Sequence, residues 1–354
     1  MIAAQISGIS MYLPKNRLEN KELADIFSGW TPEKITLKLG ISSRPIVSEG
    51  ETAVDMGVAA AQNLFNAGVC KPEEIDFVVF CTQSPDYFLP TSACIIQNRL
   101  GIPTASGAFD INLGCSGYIY SLATCKGLVE SGLAKNVLLI TSETYSRYIN
   151  KQDRTSRPLF GDGATASLIN ADPDAADRDA RIGSFEFGTD GNGADLLIVP
   201  AGAQRLPSSE ETAKVAADSF GGLRSKNELY MHGPGIFTFS IDRIPPLIER
   251  FRKNAQETGK EIDAYIFHQA NRYMLNRLRE LCEIDPSKYY NNMMERGNTV
   301  SSSIPIALID AMQENFIQRE KCLMLVGFGV GLSWGACLVH LPEHFKAVPF
   351  DTKN

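Results

Sequence analysis

The chain has 354 residues, 44% hydrophobic and 21% charged, with a formal net charge of -7. That length suits two domains or one duplicated domain around a sizeable core, in the composition range of an ordinary soluble globular protein. The negative balance excludes nonspecific nucleic-acid binding, because the overall field repels a phosphate backbone, and leaves room only for a local basic patch.

In chain order, Met-Ile-Ala-Ala-Gln-Ile-Ser-Gly-Ile-Ser lacks a basic n-region and a long apolar core, so it reads as a first strand and not a signal peptide. A turn at Tyr12-Leu-Pro-Lys-Asn leads to a short helix from Asn20. Trp30-Thr-Pro-Glu-Lys starts another helix, with Thr31 as N-cap and Pro32 in the first turn, and Gly40 ends it. After an extended run over 41–47, the spacing of Val54, Met56, Ala60, Leu64 and Phe65 predicts a helix over 52–67, closed by Gly68. A buried strand follows over 74–82, then a helix over 91–100, a strand at Ala108-Phe-Asp-Ile111 and a strand from Asn136. Strands alternating with helices predict an α/β protein with a mostly parallel sheet.

Cys115 stands at the centre of Asp110-Ile-Asn-Leu-Gly-Cys-Ser-Gly-Tyr-Ile-Tyr120, where a strand ends, Gly114 turns and a helical pattern opens at the cysteine. A thiol at a helix N-terminus feels unpaired N–H groups and the positive end of the dipole, which predicts a lowered pKa and a nucleophilic thiolate. The same stretch also suits a small buried apolar cysteine. The other cysteines, Cys70, Cys81, Cys94, Cys125, Cys282, Cys322 and Cys337, are scattered without a Cys-x-x-Cys pair and mostly sit in apolar runs. They read as reduced core thiols of a cytoplasmic protein, with no zinc site.

The second half echoes the first. Glu74-Ile-Asp-Phe-Val-Val-Phe-Cys81 recurs as Glu261-Ile-Asp-Ala-Tyr-Ile-Phe-His268, and Lys135-Asn-Val-Leu-Leu-Ile140 recurs in type as Lys321-Cys-Leu-Met-Leu-Val326. Matches at nearly the same offset suggest a duplicated α/β unit, divided as residues 1–172 and 173–354. Between them, residues 172–181 read as an Asp/Ala-rich surface turn and 201–227 as a polar flap or insertion. A helix resumes near Gly235 and is expected to bend or break at Pro245-Pro246. The charge-free window 322–339 divides into two strands around Gly-rich residues and does not read as a membrane span.

Duplication brings equivalent strand ends to one site. The strand ending at Phe267 delivers His268, either a core histidine or a catalytic one, and Gly297-Asn298 places an amide in a turn before a helix over 304–312. Gly327-Phe-Gly-Val-Gly-Leu-Ser-Trp-Gly335 lies between two strands with no following helix, so it is not a dinucleotide fingerprint. Its glycines would let backbone N–H groups face a reacting oxygen.

With Gly114-Cys115-Ser-Gly, Phe160-Gly-Asp-Gly-Ala164, His268-Gln-Ala-Asn271, Gly297-Asn298-Thr and the glycine run in this order, the chain resembles the thiolase-fold condensing enzymes, most closely the β-ketoacyl-acyl carrier protein synthase III family. The resemblance covers almost the whole chain. It implies an α/β thiolase-like fold of two duplicated halves in five layers, α-β-α-β-α, and a homodimer.

The resemblance also implies a Cys115-His268-Asn298 triad. Cys115 takes an acyl group from an acyl-CoA primer, the backbone N–H groups of Cys115 and Val330 form the oxyanion hole, and His268 and Asn298 stabilise the enolate from a decarboxylating malonyl-acyl carrier protein. No metal or redox cofactor is implied, coenzyme A and carrier-protein thioesters being substrates.

Trp30, Arg154, Gly233, Phe237 and Asn271 match coenzyme A and pantetheine positions, and Leu89 matches one that crosses the dimer interface and limits the acyl pocket. An aliphatic side chain there implies a primer longer or more branched than acetyl. Two departures stand out: Val330 occupies the middle of the family's Gly-Gly-Gly turn, and the basic carrier face is represented by Arg272, Arg277 and Arg279 at shifted positions with Glu280 among them. Two further readings are an acyltransferase of the same fold that does not decarboxylate, and a non-catalytic partner subunit of a condensing pair. The retained triad weighs against the second.

Overall fold

Runs rich in β-branched and aromatic residues pair into a six-stranded and a five-stranded sheet in the computed structural model, which describes residues 2–172, 174–175, 181–218, 220–257 and 261–350. Most of the turn expected over 172–181 lies outside the described residues. The first sheet runs, in spatial order, Lys346–Val348, Ala3–Tyr12, Gly163–Asp172, Asn136–Glu143, Phe77–Cys81 and Gly107–Ile111. The second runs Tyr289–Tyr290, Ala264–Phe267, Cys322–Gly329, Ser333–His340 and Ile182–Thr189.

Both sheets are mixed, where strand–helix alternation predicted mostly parallel pairing. Phe77–Cys81 is parallel to both its neighbours, but Gly163–Asp172 is antiparallel to Asn136–Glu143 and to Ala3–Tyr12. In the second sheet Cys322–Gly329 is parallel to Ala264–Phe267 and antiparallel to Ser333–His340. The link of Val330, Gly331 and Leu332 is far shorter than the crossover of about a dozen residues that a parallel pair needs, so the chain can only turn back.

The repeat seen in the sequence has a structural counterpart. In the first sheet the Asp76 carboxylate accepts from the backbone N–H of Lys135 and Asn136, and the Asp76 N–H donates to the Asn136 carbonyl. In the second, the Asp263 carboxylate accepts from the Cys322 N–H while the Asp263 N–H donates to the Cys322 carbonyl. One device thus fixes the register of equivalent strand pairs.

Helices Gly117–Glu130 and Ser303–Gln313 touch both sheets and fill the space between them. Ala53–Asn66 and Ser92–Arg99 cover the outer face of the first sheet, and Gly233–Glu257, with Arg272–Leu281 beside it, covers the second. The layer order is α-β-α-β-α, the thiolase-like arrangement. A middle layer meets apolar surface on both sides, which is why Ser303–Gln313 is buried without interruption from Ser303 to Ala311.

Two local expectations are corrected. The chain does not break at Pro245-Pro246: Gly233–Glu257 is one helix that continues through both prolines. An interior proline costs about 3 kcal/mol, but Ile244, Leu247, Ile248 and Phe251 are all buried around it, at ~1.5–3 kcal/mol each. Core burial therefore outweighs the lost helix bonds. Cys94, read as a core thiol, is exposed; the helical period turns Ser92, Ala93 and Ile96 inward and Cys94 out.

Candidate active site

The strand Gly107–Ile111 and the helix Gly117–Glu130 meet at Cys115, which the sequence placed as the first helical residue. The helix begins two residues later, with Ser116 as N-cap, so Cys115 sits on the turn just ahead of it. Glycines allow this close approach. A Cβ on Gly117 would lie 2.5 Å from Cys81 Sγ, and one on Gly329 would lie 2.7 Å from Cys115 Cβ and 2.8 Å from its Sγ. The end of Cys322–Gly329 can thus press against the cysteine. There the Val330 N–H points at the Cys115 sulfur, and the Ser333 hydroxyl holds the same residue's carbonyl at 2.8 Å. Ser333 is tied in turn to the Ser116 hydroxyl at 2.7 Å, which joins the two turns.

His268 follows the strand Ala264–Phe267, and its N–H continues the ladder to the Val326 carbonyl. Its Nδ1 lies 2.7 Å from Ser303 Oγ, and the ring edge meets Phe328. Asn298 is fixed through its backbone, which donates to Leu159 and accepts from Gly161. Its Oδ1 accepts from the Val300 N–H at 2.9 Å, so the side-chain NH2 is the end left to donate. Val300 holds that contact at φ 53, in a left-handed region that a β-branched residue rarely enters.

The electrostatics correct the thiolate expectation. Burial pushes the Cys115 thiol up to about 12, against the hydrogen bond from Val330 and helped by the nearby Glu143 carboxyl. Burial likewise pushes His268 down to about 3. The resting pair is a thiol and a neutral imidazole.

Cys115, His268, Asn298, Asn271 and Gly233 line one narrow cavity of about 60 Å³. Asn271 also caps the helix Arg272–Leu281, accepting from the Met274 N–H. Gly233 and Met231 are shared with an outer cavity of about 540 Å³, lined by Trp30, Lys38, Arg154 and Phe220. Trp30 and Arg154, far apart in the chain, therefore face one space. On the other side of Cys115, Val330 and Leu197 border a third cavity of about 490 Å³, to which Tyr145, Tyr148, Phe88, Asn227 and the polar segment from Ala201 contribute. Phe237 is not in these walls; its ring stacks on Tyr273 at 5.4 Å. Leu89 is 83% exposed and lines none of the three cavities.

Comparison with known proteins decides the family. Residues 109–191 match the model of 3-oxoacyl-[acyl-carrier-protein] synthase III, and residues 253–341 match its C-terminal model. β-Ketoacyl-[acyl-carrier-protein] synthase III of Chlamydia caviae is 36% identical over 96% of this chain and 97% of its own length. The corresponding protein of Clostridioides difficile is 35% identical over 95% and 98%. The chain belongs to the β-ketoacyl-[acyl-carrier-protein] synthase III family. A crystal structure of a 3-oxoacyl-(acyl-carrier-protein) synthase III superposes with a TM-score of 0.92 at 45% identity, covering 96% of this chain and all of that one.

Within this synthase III scaffold, two residues at the site escaped the sequence reading. Ser303 backs the His268 ring, and Glu143, whose carboxyl bears on the Cys115 thiol, lies buried at the end of Asn136–Glu143. The signals were present: a run of three serines after Asn298, and an acidic residue closing an apolar strand. Neither separates a site residue from a cap or a turn, because both depend on contacts between distant parts of the chain.

Proposed function

We propose that this enzyme joins an acyl-CoA primer to malonyl-acyl carrier protein by decarboxylative Claisen condensation, in fatty-acid or related acyl synthesis, with Cys115, His268 and Asn298 as its catalytic residues. The observation that carries the reading is the convergence of these three side chains on one buried cavity, with the Asn298 oxygen already occupied by Val300.

In the first half-reaction the Cys115 sulfur attacks the thioester carbonyl as its proton passes to the neutral His268. The new S–C bond replaces the bond to coenzyme A, whose sulfur leaves with the proton. The N–H groups of Cys115 and Val330 hold the oxyanion, at about 10²–10³ in rate per donor. In the second, the malonyl carboxylate leaves as CO₂, and its electron pair becomes an enolate whose oxygen accepts from His268 and the Asn298 NH2. The enolate carbon bonds to the acyl carbonyl carbon, and Cys115 departs as thiolate and is reprotonated. The Ser303 hydroxyl can accept from or donate to Nδ1, so the ring can offer a free Nε2 to the Cys115 proton in the first half-reaction and an Nε2–H to the enolate oxygen in the second. A neutral imidazole suits both steps. No step calls for a metal or redox cofactor.

Coenzyme A enters past Trp30 and Arg154, its pantetheine arm passing Gly233 and Asn271. The acyl group turns past Val330 into the cavity of about 490 Å³. A methyl group fills about as much space as one water, ~30 Å³, so this room supports a primer larger than acetyl. The eight free thiols support a reducing, cytoplasmic setting. A homodimer, in which a second copy covers the exposed Tyr87, Phe88 and Leu89, completes the reading.

The test combines purified protein, malonyl-acyl carrier protein and acyl-CoAs from acetyl upward. Expected are CO₂ release, a product two carbons longer than the primer, and an acyl adduct on Cys115 that favours chains beyond acetyl. The reading falls if no CO₂ appears above the Cys115→Ala background. Acyl transfer without chain extension would instead identify a non-decarboxylating transferase.

A further inference from the structure

Glu143 lines neither the cavity at Cys115 nor the one behind Val330, yet it is wholly buried and bears electrostatically on the Cys115 sulfur. Its carboxyl gathers three groups. The Ser301 hydroxyl meets Oε1 at 2.8 Å, the Ser84 hydroxyl meets Oε2 at 3.1 Å, and the Gln83 N–H reaches Oε2 at 3.1 Å. Ser84 Oγ accepts from the Thr144 N–H, so its own proton is committed to Glu143. Two of these partners belong to the segment after Phe77–Cys81, and the third, Ser301, comes from the other half of the molecule.

Ser301 sits in the most heavily used loop of the site, 298–303. Asn298 opens that loop and Ser303, behind His268, closes it. In the middle Val300 is held in its left-handed conformation by a clamp on either side. Before it, Asn298 Oδ1 takes its N–H; after it, Ser301 is bound to Glu143. Ser302 adds a contact to the first sheet, with Oγ 2.9 Å from Thr141 Oγ1 and 3.0 Å from the Gly163 carbonyl. A strained residue persists only where its surroundings over-determine it.

We propose that Glu143 is a positioning residue for the condensation step: through Ser301 it locks loop 298–303 to the end of Asn136–Glu143, and so sets Asn298, which only the second half-reaction uses, against the enolate. The proposal rests on the decarboxylative reading above. Burial pushes the Glu143 carboxyl up to about 8, while its three partners can all donate to it. Either protonation state keeps the Ser301 contact, because a serine hydroxyl donates to a carboxylate or accepts from an acid.

The experiment separates the half-reactions in wild type, Glu143→Ala, Glu143→Gln and Ser301→Ala. Cys115 acylation is followed by intact mass, CO₂ release from malonyl-acyl carrier protein on the pre-acylated enzyme, and folding by thermal unfolding. Glu143→Ala is expected to acylate within about threefold of wild type and to lose about 100-fold in condensation, the scale set by a misplacement of roughly 1 Å. Glu143→Gln, which retains an oxygen for Ser301, recovers at least about tenfold of that loss. Should Glu143→Ala not fold, Ser301→Ala removes the same bond from the opposite side and shows the same selective loss. Equal decline of both half-reactions, or unchanged condensation in Ser301→Ala, overturns the proposal. Wild-type protein that acylates without releasing CO₂ refutes the decarboxylative reading itself, a result distinct from either.

Discussion

At the scale of single residues, the decisive competition is between the helix end and burial at Cys115. A helix N-terminus contributes about 0.3–1 kcal/mol to a nearby anion, reaching ~2 in favourable sites, and one pKa unit is worth about 1.36 kcal/mol. Full burial moves a group by as much as about 3–5 units. Burial wins, and the thiol rises to about 12. Below that value the thiolate fraction grows tenfold per pH unit, since deprotonation is what rising pH supplies. The groups that bear on the sulfur, Glu143, Tyr145 and His268, add no positive charge near neutrality, because His268 titrates at about 3. Alkylation of Cys115 by iodoacetamide, read by peptide mass to separate it from the exposed Cys94, should therefore climb steadily from pH 6 to pH 9. A plateau near pH 7 would mean a thiolate–imidazolium pair in the resting enzyme.

At the scale of elements, much of the site was legible because each triad member follows a strand or a turn marked by glycine. Gly114 before Cys115, the apolar strand before His268, and Gly297 before Asn298 all appear in the linear sequence. The sharing of one cavity by Trp30 and Arg154 was less so, since helix Pro32–Leu39 has to fold back before the two can meet. Phe237 shows the converse: its match in sequence suggested a tunnel wall, yet on helix Gly233–Glu257 it turns toward Tyr273. Glu143 and Ser303 were illegible because a carboxylate or hydroxyl at an element's end has many ordinary uses until its distant partner is known. Gly329 offers a test at this scale. Gly329→Ala would set its Cβ 2.7 Å from Cys115 Cβ and 2.8 Å from its Sγ, so the nucleophile itself has to shift. Adduct formation on Cys115 should fall at least about 100-fold, with far-UV circular dichroism unchanged; normal acylation would show that the turn has slack.

At the scale of the whole molecule, the halves divide the chemistry. Cys115 comes from the end of the first sheet, while His268 and Asn298 come from the second half, and loop 298–303 is bound back onto the first sheet. The apolar trio Tyr87, Phe88 and Leu89 is 61%, 87% and 83% exposed beside the cavity behind Val330. If the proposed homodimer forms through this patch, Phe88→Glu should shift sedimentation from dimer to monomer and reduce use of long primers; a variant that sediments as a dimer would remove the patch from the subunit interface.

The narrow throat of about 60 Å³ at Cys115 has a consequence for flux. Under the proposed function primer and extender arrive on the same kind of flexible arm and use the same doorway, so coenzyme A has to clear it before the second arm can enter. The two substrates queue. A surplus of either keeps the doorway occupied and throttles the other, so chain initiation responds to the ratio of the two pools and not to their sum.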